Sequence, residues 1–413
     1  MILFKKPIED QEYLLYFGLI VFHIATLQWW QIAPWTVFAI LILQLMLFVI
    51  PVDRFPDIVK RPLQGLVLIL WLSLLWRQSP YLPNHLLFEG LIVVVILITS
   101  FFRLLTNDFN PRLRLSHFRI ALPILYILAA LQKCNTDFFE SAYSAHVLES
   151  AIVQRFGLDI QLPNLLLASG TVLLELSAGI FLLIPLTRNL GIATALIMHI
   201  LFALTGDPGV ISFSALGVVF LSYYLSDSRI KIMMFWLLSN TVFVIAQSDY
   251  TLRMPLLELS LYLSVVAIIW DWRKVKLDPK KLLVRWPQRI IIGLLILNSL
   301  SPYIGFKTAG AFNMFSDLKV TKESNNHWWM PQMTVFPYLE RQYQVNGIST
   351  SCDVVSSSLS TRASSTTTDI QLKRSLFRNC GPDASAEIGD SLKISGRQFL
   401  EYSLLERKLV VFE

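Results

Sequence analysis

Charged side chains are scarce in this 413-residue chain, where Asp, Glu, Lys and Arg together make up 15%. A soluble globular domain carries about 25% charged residues. Hydrophobic residues account for 54% of the chain, and many lie in runs close to the roughly 20 residues that a membrane helix needs. The scarcity argues against an ordinary soluble enzyme. The net charge of +6 then points to membrane topology rather than to nucleic acid, so we expect a lipid bilayer and no nucleic acid as partner.

Several sequence signatures of cofactor sites are also missing. The chain contains no phosphate-binding loop, no dinucleotide fingerprint and no histidine or cysteine pair at zinc-ligand spacing. We therefore expect no metal. Of the three cysteines, Cys134 fits a small packing residue. Cys352 and Cys380 are either a disulfide in an oxidising compartment or two unpaired thiols.

The apolar runs predict an all-α polytopic membrane bundle of roughly eleven spans over residues 1–306. The first run lacks a small-residue cleavage site, so we interpret it as a retained span. Residues 137–162 are less apolar and predict a surface or re-entrant helix. The candidate spans are 12–30, 33–51, 62–77, 85–106, 117–134, 163–185, 188–205, 208–226, 230–247, 253–271 and 287–305.

Connections rich in lysine and arginine alternate along the chain with connections that are poor in them, and this pattern predicts a cytoplasmic N-terminus. The strongest inner connection is 273–289, which follows basic pairs such as Lys5 and Lys6 near the start of the chain. An odd span count then places residues 307–413 on the extracytoplasmic side of the membrane. This C-terminal region is polar with strand-like runs, so we expect a small domain of mixed or mainly β character. Its Ser/Thr-rich stretch, 349–368, predicts a flexible loop.

Four ionisable residues lie where burial makes their charge costly: His85, Lys133, Glu175 and His199. Glu175 and His199 fall on consecutive predicted spans and are candidates to face each other, either in a structural hydrogen bond or as part of a site. Glu175 also fits a supporting role. Glu89 lies one helical turn after His85, so the two share a helix face.

Lys133 ends the apolar run LPILYILAALQ and precedes Asn135 and Asp137. One interpretation is an interfacial anchor, with a snorkelling lysine and helix-capping Asn and Asp. The other is a catalytic base, because desolvation drives a lysine towards its neutral, proton-accepting form. The residues alone leave both interpretations open.

Five segments resemble the vitamin K-dependent gamma-glutamyl carboxylases and the wider family of horizontally transferred transmembrane (HTTM) domains, in its bacterial branch. They are LYILAALQKCNTDFFES around Lys133, NHLLFEG at His85, LLELSAGIFLLIPLTRNLG at Glu175, MHILFALTG at His199, and LNSLSPYIGFKTAGAFNMFSDLKV followed by NHWWMP. The likeness extends over residues 60–335 and is strongest at 298–331.

The resemblance implies a carboxylase-like lyase acting on glutamyl side chains of a protein or peptide, with reduced vitamin K or another quinone as cofactor. It implies Lys133 as the base, with His85 and His199 as further catalytic residues and Glu175, Asn135, Asp137 and Glu89 in support. Two other functions stay open: a non-catalytic assembly factor or partner subunit, and a transporter that relays protons through Glu175 and His199.

Overall fold

The computed structural model describes the parts of the chain that hold the predicted site residues. The described residues are 19–20, 33–49, 57–78, 84–106, 115–141, 162–203, 208–222, 224, 286–304, 318, 320, 325–331, 342–344, 348–350, 352, 366–368, 372–373, 376–377, 380–388, 392–395 and 397–398.

The described part of the chain is mostly helical. Its helices are α1 Pro34–Val49, α2 Asp57–Gln78, α3 Asn84–Thr106, α4 Leu115–Gln132, α5 Thr136–Ser141, α6 Asn164–Leu183, α7 Arg188–Ala203, α8 Pro208–Ser222 and α9 Trp286–Leu300. Helix α4 lies at the centre, where it packs against α3, α6, α8 and α9, and α7 packs between α6 and α8. The core is apolar, and its largest fully buried side chains include Trp71, Tyr126 and Phe220.

The prediction of roughly eleven membrane spans is wrong. Among the described residues, α6 alone is long and apolar enough to cross a membrane. The other apolar helical stretches among the described residues are shorter, at 10–17 residues, and include Asn84–Ile98, Arg119–Gln132 and Arg188–Ala203. A hydropathy count joins such pieces to the apolar residues beyond their ends. The predicted spans 230–247 and 253–271, and most of 12–30 and of the surface segment 137–162, lie outside the described residues.

Helix α6 exposes several of its large apolar side chains, and three of its five buried residues are small. Leu166, Leu173 and Ile180, spaced by seven residues, are 56%, 62% and 39% exposed. The buried face carries Ala168, Glu175, Ala178, Gly179 and Leu182. This distribution is the reverse of a soluble amphipathic helix, in which the large apolar residues face the core.

The backbone hydrogen bond that a proline removes from α4 is replaced by a side-chain hydrogen bond from a residue just beyond α8. Pro123 has no backbone N–H, so the carbonyl of Arg119, four residues earlier, loses its donor within the helix. The hydroxyl of Tyr224, just beyond α8, donates a hydrogen bond to that carbonyl. The guanidinium groups of Arg119 and Arg188 also lie 6.0 and 5.7 Å from the centre of the Tyr224 ring. Tyr224 therefore ties together the ends of α4, α7 and α8.

Glycine allows the close approach of α6 to α4. A Cβ added at Gly179 would lie 2.8 Å from the carbonyl oxygen of Pro123 and 2.7 Å from the side chain of Ile127. Such distances are too short for any residue larger than glycine. The absent side chain thus lets the face of α6 that bears Glu175 lie directly on α4.

All five described strands follow residue 341. Strands β1 Gln342–Gln344 and β3 Thr366–Thr368 form an antiparallel pair, and β2 Ile348–Thr350, β4 Ser385–Ile388 and β5 Leu392–Ser395 form an antiparallel sheet in the order β2-β4-β5. Strands therefore occupy both ends of the stretch 349–368 that the sequence predicted as a loop, in keeping with the β preference of threonine. Residues 353–365 lie outside the described residues.

A disulfide joins Cys352 to Cys380, with 6.0 Å between their Cα atoms. Both half-cystines belong to the small C-terminal domain, where Cys352 packs in an apolar cluster with Leu372, Leu376 and Ile394. The bond joins a residue that follows β2 to a residue that precedes β4, and these two strands are neighbours in the sheet.

Candidate functional site

Lys133 and Glu175 form a buried ion pair. The ammonium nitrogen Nζ of Lys133 donates to both carboxylate oxygens of Glu175, at 3.0 Å to Oε1 and 2.9 Å to Oε2. Each residue is only 4% exposed. Taking two charges out of water costs several kcal/mol per ion, which the mutual attraction offsets only when the geometry is good. The sequence had suggested His199 as the partner of Glu175, and the structure places Lys133 there instead.

The end of α4 positions Lys133. The helix stops at Gln132, and the N–H of Lys133 donates to the carbonyl of Ala130 at 3.1 Å, which tightens the last turn. The N–H of Asn135 then donates to the carbonyl of Lys133 at 2.9 Å. This hydrogen bond turns the chain away from the helix axis. The lysine side chain therefore starts from the end of α4 and runs inward to α6, where Glu175 is the twelfth of 20 residues.

His199 pairs with Tyr126 rather than with a charged group. The Tyr126 hydroxyl lies 2.6 Å from Nε2 of His199, and both side chains are buried. The other ring nitrogen, Nδ1, is buried and makes no hydrogen bond to the described residues. Gly217 on α8 packs against the imidazole, and a Cβ there would collide with the ring. Tyr126 precedes Lys133 by seven residues along the chain.

His85 reaches this region through an aromatic ring. Its imidazole and that of His199 flank Phe213, with ring-centre distances of 6.4 and 5.4 Å. His85 is 1% exposed and Glu89, one turn later on α3, is fully buried. Tyr126, His199, Phe213 and His85 thus form a continuous buried group, which we call the aromatic cluster.

Gln132, next to Lys133, locks the end of α4 to α9. Its amide nitrogen Nε2 donates to the backbone carbonyl of Ser299 at 2.5 Å and to the Ser299 hydroxyl at 2.8 Å. Its amide oxygen accepts from the hydroxyl of Tyr303 at 2.8 Å. The polar atoms of this buried amide are satisfied, so Gln132 fits a purely structural role.

Asn135 and Asp137 serve the start of α5. The Asn135 oxygen Oδ1 accepts from the N–H of Phe138 at 2.9 Å, which is the side-chain bond of a helix N-cap. Asp137 lies half-buried in the first turn of α5, where a negative charge suits the helix N-terminus. Asn135 therefore caps α5 through a hydrogen bond, whereas Asp137 is placed to interact with the charge of the helix N-terminus.

The segment 325–331 closes over this turn. The N–H of Thr136 donates to the carbonyl of Asn326 at 2.9 Å, and the N–H of Trp328 donates to the carbonyl of Cys134 at 3.2 Å. Nε2 of His327 donates to the carbonyl of Leu131 at 3.0 Å. The sequence patterns gave no role to Tyr126 or His327. Each residue nevertheless had a feature in the sequence that could have marked it. Tyr126 precedes Lys133 by seven residues, and His327 belongs to the specific motif NHWWMP.

Among the described residues, no three His, Cys, Asp or Glu side chains are grouped so as to hold a metal ion. No protein-family model, curated protein or solved structure matches the chain. The chemistry of the site thus depends on the contacts of Lys133, Glu175 and the aromatic cluster.

Proposed function

We propose that the protein is an integral membrane enzyme whose Lys133–Glu175 pair accepts a proton from a hydroxyl of a lipid-soluble, quinone-type molecule. The observation that carries this proposal is the direct contact of two oppositely charged groups, each 4% exposed, on two helices of an apolar bundle. Buried, desolvated ionisable groups of this kind concentrate at functional sites.

The membrane part of the proposal is supported by α6. Small residues and a glutamate face the protein, while Leu166, Leu173 and Ile180 face outward. Small residues at helix contacts and polar groups turned inward are typical of helices in a lipid environment. We infer that the exposed leucines of α6 contact acyl chains.

The orientation is supported by the disulfide. A bond between Cys352 and Cys380 persists in an oxidising compartment. Since segment 325–331 contacts the turn at Lys133, this end of α4 faces the same side as the C-terminal domain. We therefore propose that Lys133 lies near the extracytoplasmic face, with the N-terminus in the cytoplasm.

The chemistry of the pair follows from its burial. In the ionised form Lys133 carries the proton and is not a base. Transfer of that proton to Glu175 gives a neutral amine and a carboxylic acid, and a water-poor surrounding favours this form relative to bulk water because it removes both charges. The neutral amine then accepts a proton from the hydroxyl of the bound molecule, which becomes an anion beside the new ammonium. Glu175 thus stores the proton while Lys133 acts as the base.

The aromatic cluster suits a reduced quinone. The buried Nδ1 of His199 has no hydrogen-bond partner among the described residues, so it is available to a hydroxyl group. Phe213 and Tyr126 supply apolar ring surface around it. His199 and Lys133 would hold the molecule, with His85 beyond Phe213 in a supporting position. A reduced naphthoquinone would supply an acidic hydroxyl and reactivity towards dioxygen; by the family resemblance, the outcome would be carboxylation of glutamyl side chains.

The test is turnover in reconstituted proteoliposomes. The assay contains reduced vitamin K, labelled bicarbonate and a glutamyl peptide, and it measures label incorporation and quinone oxidation. We expect both in the native protein and neither in the double variant Lys133→Met/Glu175→Met, which removes both charges and leaves no unpaired ion. Absence of both signals in the native protein defeats the carboxylase version.

A second candidate function is a non-catalytic partner subunit, favoured by the complete pairing of Lys133 with Glu175. On this account the ion pair serves only to fix α4 against α6. It predicts that the double variant, once shown to be folded, supports the same cellular phenotype as the native protein.

A further inference from the structure

His327 makes contacts that fix which of its nitrogens carries the proton. Its Nδ1 accepts from the backbone N–H of Met330 at 3.1 Å and, more weakly, from that of Trp329 at 3.4 Å. A nitrogen that accepts hydrogen bonds has no proton, so in the neutral ring the proton lies on Nε2. Nε2 therefore donates to the carbonyl of Leu131 at 3.0 Å. One imidazole thus joins the turn 327–330 to the last turn of α4.

The contact reaches the carbonyl two residues before Lys133. A bridge between Asn135 and His327 holds the other side of the same turn, and Nδ2 of Asn326 donates to Oδ1 of Asn135 at 3.3 Å. The residues before and after Lys133 are therefore both held by segment 325–331. The ring of Tyr303 packs edge-on against His327, at 5.2 Å between ring centres, and limits its movement.

We propose that His327 is a positioning residue, which holds the turn of Lys133 in the conformation from which its ammonium reaches Glu175. Lys133 follows the last residue of α4, and its N–H bonds to the Ala130 carbonyl three residues earlier instead of making a regular helix bond. The tether from His327 adds a second restraint, from the C-terminal domain. Its consequence for proton transfer rests on the proposed function, whereas the restraint itself does not.

Two variants of His327 distinguish the role of Nδ1 from the role of Nε2. Asparagine places a polar atom near the position of Nδ1, so His327→Asn retains an acceptor for the N–H groups of Trp329 and Met330 but loses the donor to Leu131. Glutamine places its amide nitrogen near the position of Nε2, so His327→Gln retains the donor to Leu131 and loses the acceptor. His327→Ala removes both.

The readout is the reactivity of Lys133 towards an amine-modifying reagent, measured by mass spectrometry on the folded, full-length protein. Exposed Lys393, whose side chain is 68% exposed, serves as the internal standard. Lys373, which is 9% exposed in the C-terminal domain, reports on unfolding of that domain. We expect His327→Ala and His327→Asn to raise the reactivity of Lys133 by about tenfold, the upper range for losing one hydrogen bond, and His327→Gln to leave it close to native.

Protection of Lys133 in the Ala and Asn variants, or equal reactivity in the Asn and Gln variants, overturns the proposal. So does a rise that occurs only together with Lys373, because that result shows general unfolding rather than loss of a specific tether. Failure of the proposed function is distinguishable: it leaves this labelling contrast intact while the native protein shows no turnover.

Discussion

The Nζ atom of Lys133 lies within 3.0 Å of both carboxylate oxygens of Glu175, in a contact between the end of α4 and the middle of α6. The two residues are 42 positions apart in the sequence. Their contact is made possible by Gly179, one turn after Glu175, which lets α6 lie on the backbone of α4. The burial of the Lys133–Glu175 ion pair thus depends on the close contact between α4 and α6.

Single and double substitutions of this pair should have different effects on the free energy of unfolding. Lys133→Met or Glu175→Met alone leaves an uncompensated buried charge and should lower the free energy of unfolding by about 3–5 kcal/mol. Lys133→Met/Glu175→Met should be close to native or more stable, since it removes both desolvation costs. Denaturant unfolding in detergent measures the difference. A double variant that is destabilised by the sum of the single effects contradicts the ion pair.

Gly217→Ala should destabilise the protein, because the added methyl group collides with the imidazole of His199. Overpacking of this kind costs about 1–3 kcal/mol. Gly293→Ala in α9 is the matched control: nothing lies within 4 Å of the added Cβ, so alanine's helix preference should leave stability unchanged or higher. Thermal unfolding compares the two, and equal melting temperatures would argue against the packing of α8 on His199.

Tyr224→Phe should remove the hydrogen bond from the Tyr224 hydroxyl to the partly buried Arg119 carbonyl, at a cost of up to about 1–3 kcal/mol, the range for a buried unsatisfied group. The informative background is Pro123→Ala, which restores the missing backbone N–H and with it a helix bond to the same carbonyl. In that background, removal of the Tyr224 hydroxyl should cost less. A cost that is the same in both backgrounds shows that the hydroxyl does not compensate for the proline.

Stability should fall on acidification because of His327. Burial lowers the pKa of His327 below its ordinary value of about 6.5, and the hydrogen bond to Leu131 offsets part of this effect. The unfolded state then binds a proton first as the pH falls, so stability is constant above about pH 6.5 and decreases below it until the folded histidine is also protonated. The described groups facing the ring, Tyr303 and Trp329, carry no charge in this range.

His327→Gln is the control for that titration, since it keeps a donor to Leu131 and does not ionise. The melting temperature of the native protein should fall relative to the variant between about pH 6.5 and 5, the range just below the ordinary pKa of histidine. Parallel pH profiles for the two proteins would show that His327 is not the titrating group.

The sequence predicted which ionisable residues are buried better than it predicted their partners. His85, Lys133, Glu175 and His199 stand out because each ionisable group interrupts or ends an apolar run, and the structure buries all four. The partner of Glu175 depends on how α4, α6 and α7 are rotated about their axes. That rotation follows from the close contact at Gly179 and from the Tyr126–His199 bond, which no spacing along one helix reveals.

The span count failed for a related reason. A hydropathy window averages over helix ends, so it cannot separate an apolar helix of 16 residues such as α7 from a longer span such as α6. The contacts of segment 325–331 were equally hidden, because they join parts of the chain about 190 residues apart. Only the specificity of the motif NHWWMP hinted that this segment matters.

The most direct test of the account is the turnover of Lys133→Arg. Arginine can retain a bidentate contact with Glu175, but its guanidinium does not release a proton at neutral pH. With folding verified by unfolding in detergent, the account predicts that reduced vitamin K oxidation by this variant falls by about 10²–10⁴-fold, the usual contribution of a general base. Native turnover in a folded Lys133→Arg variant would contradict Lys133 as the base and leave the pair with a structural role.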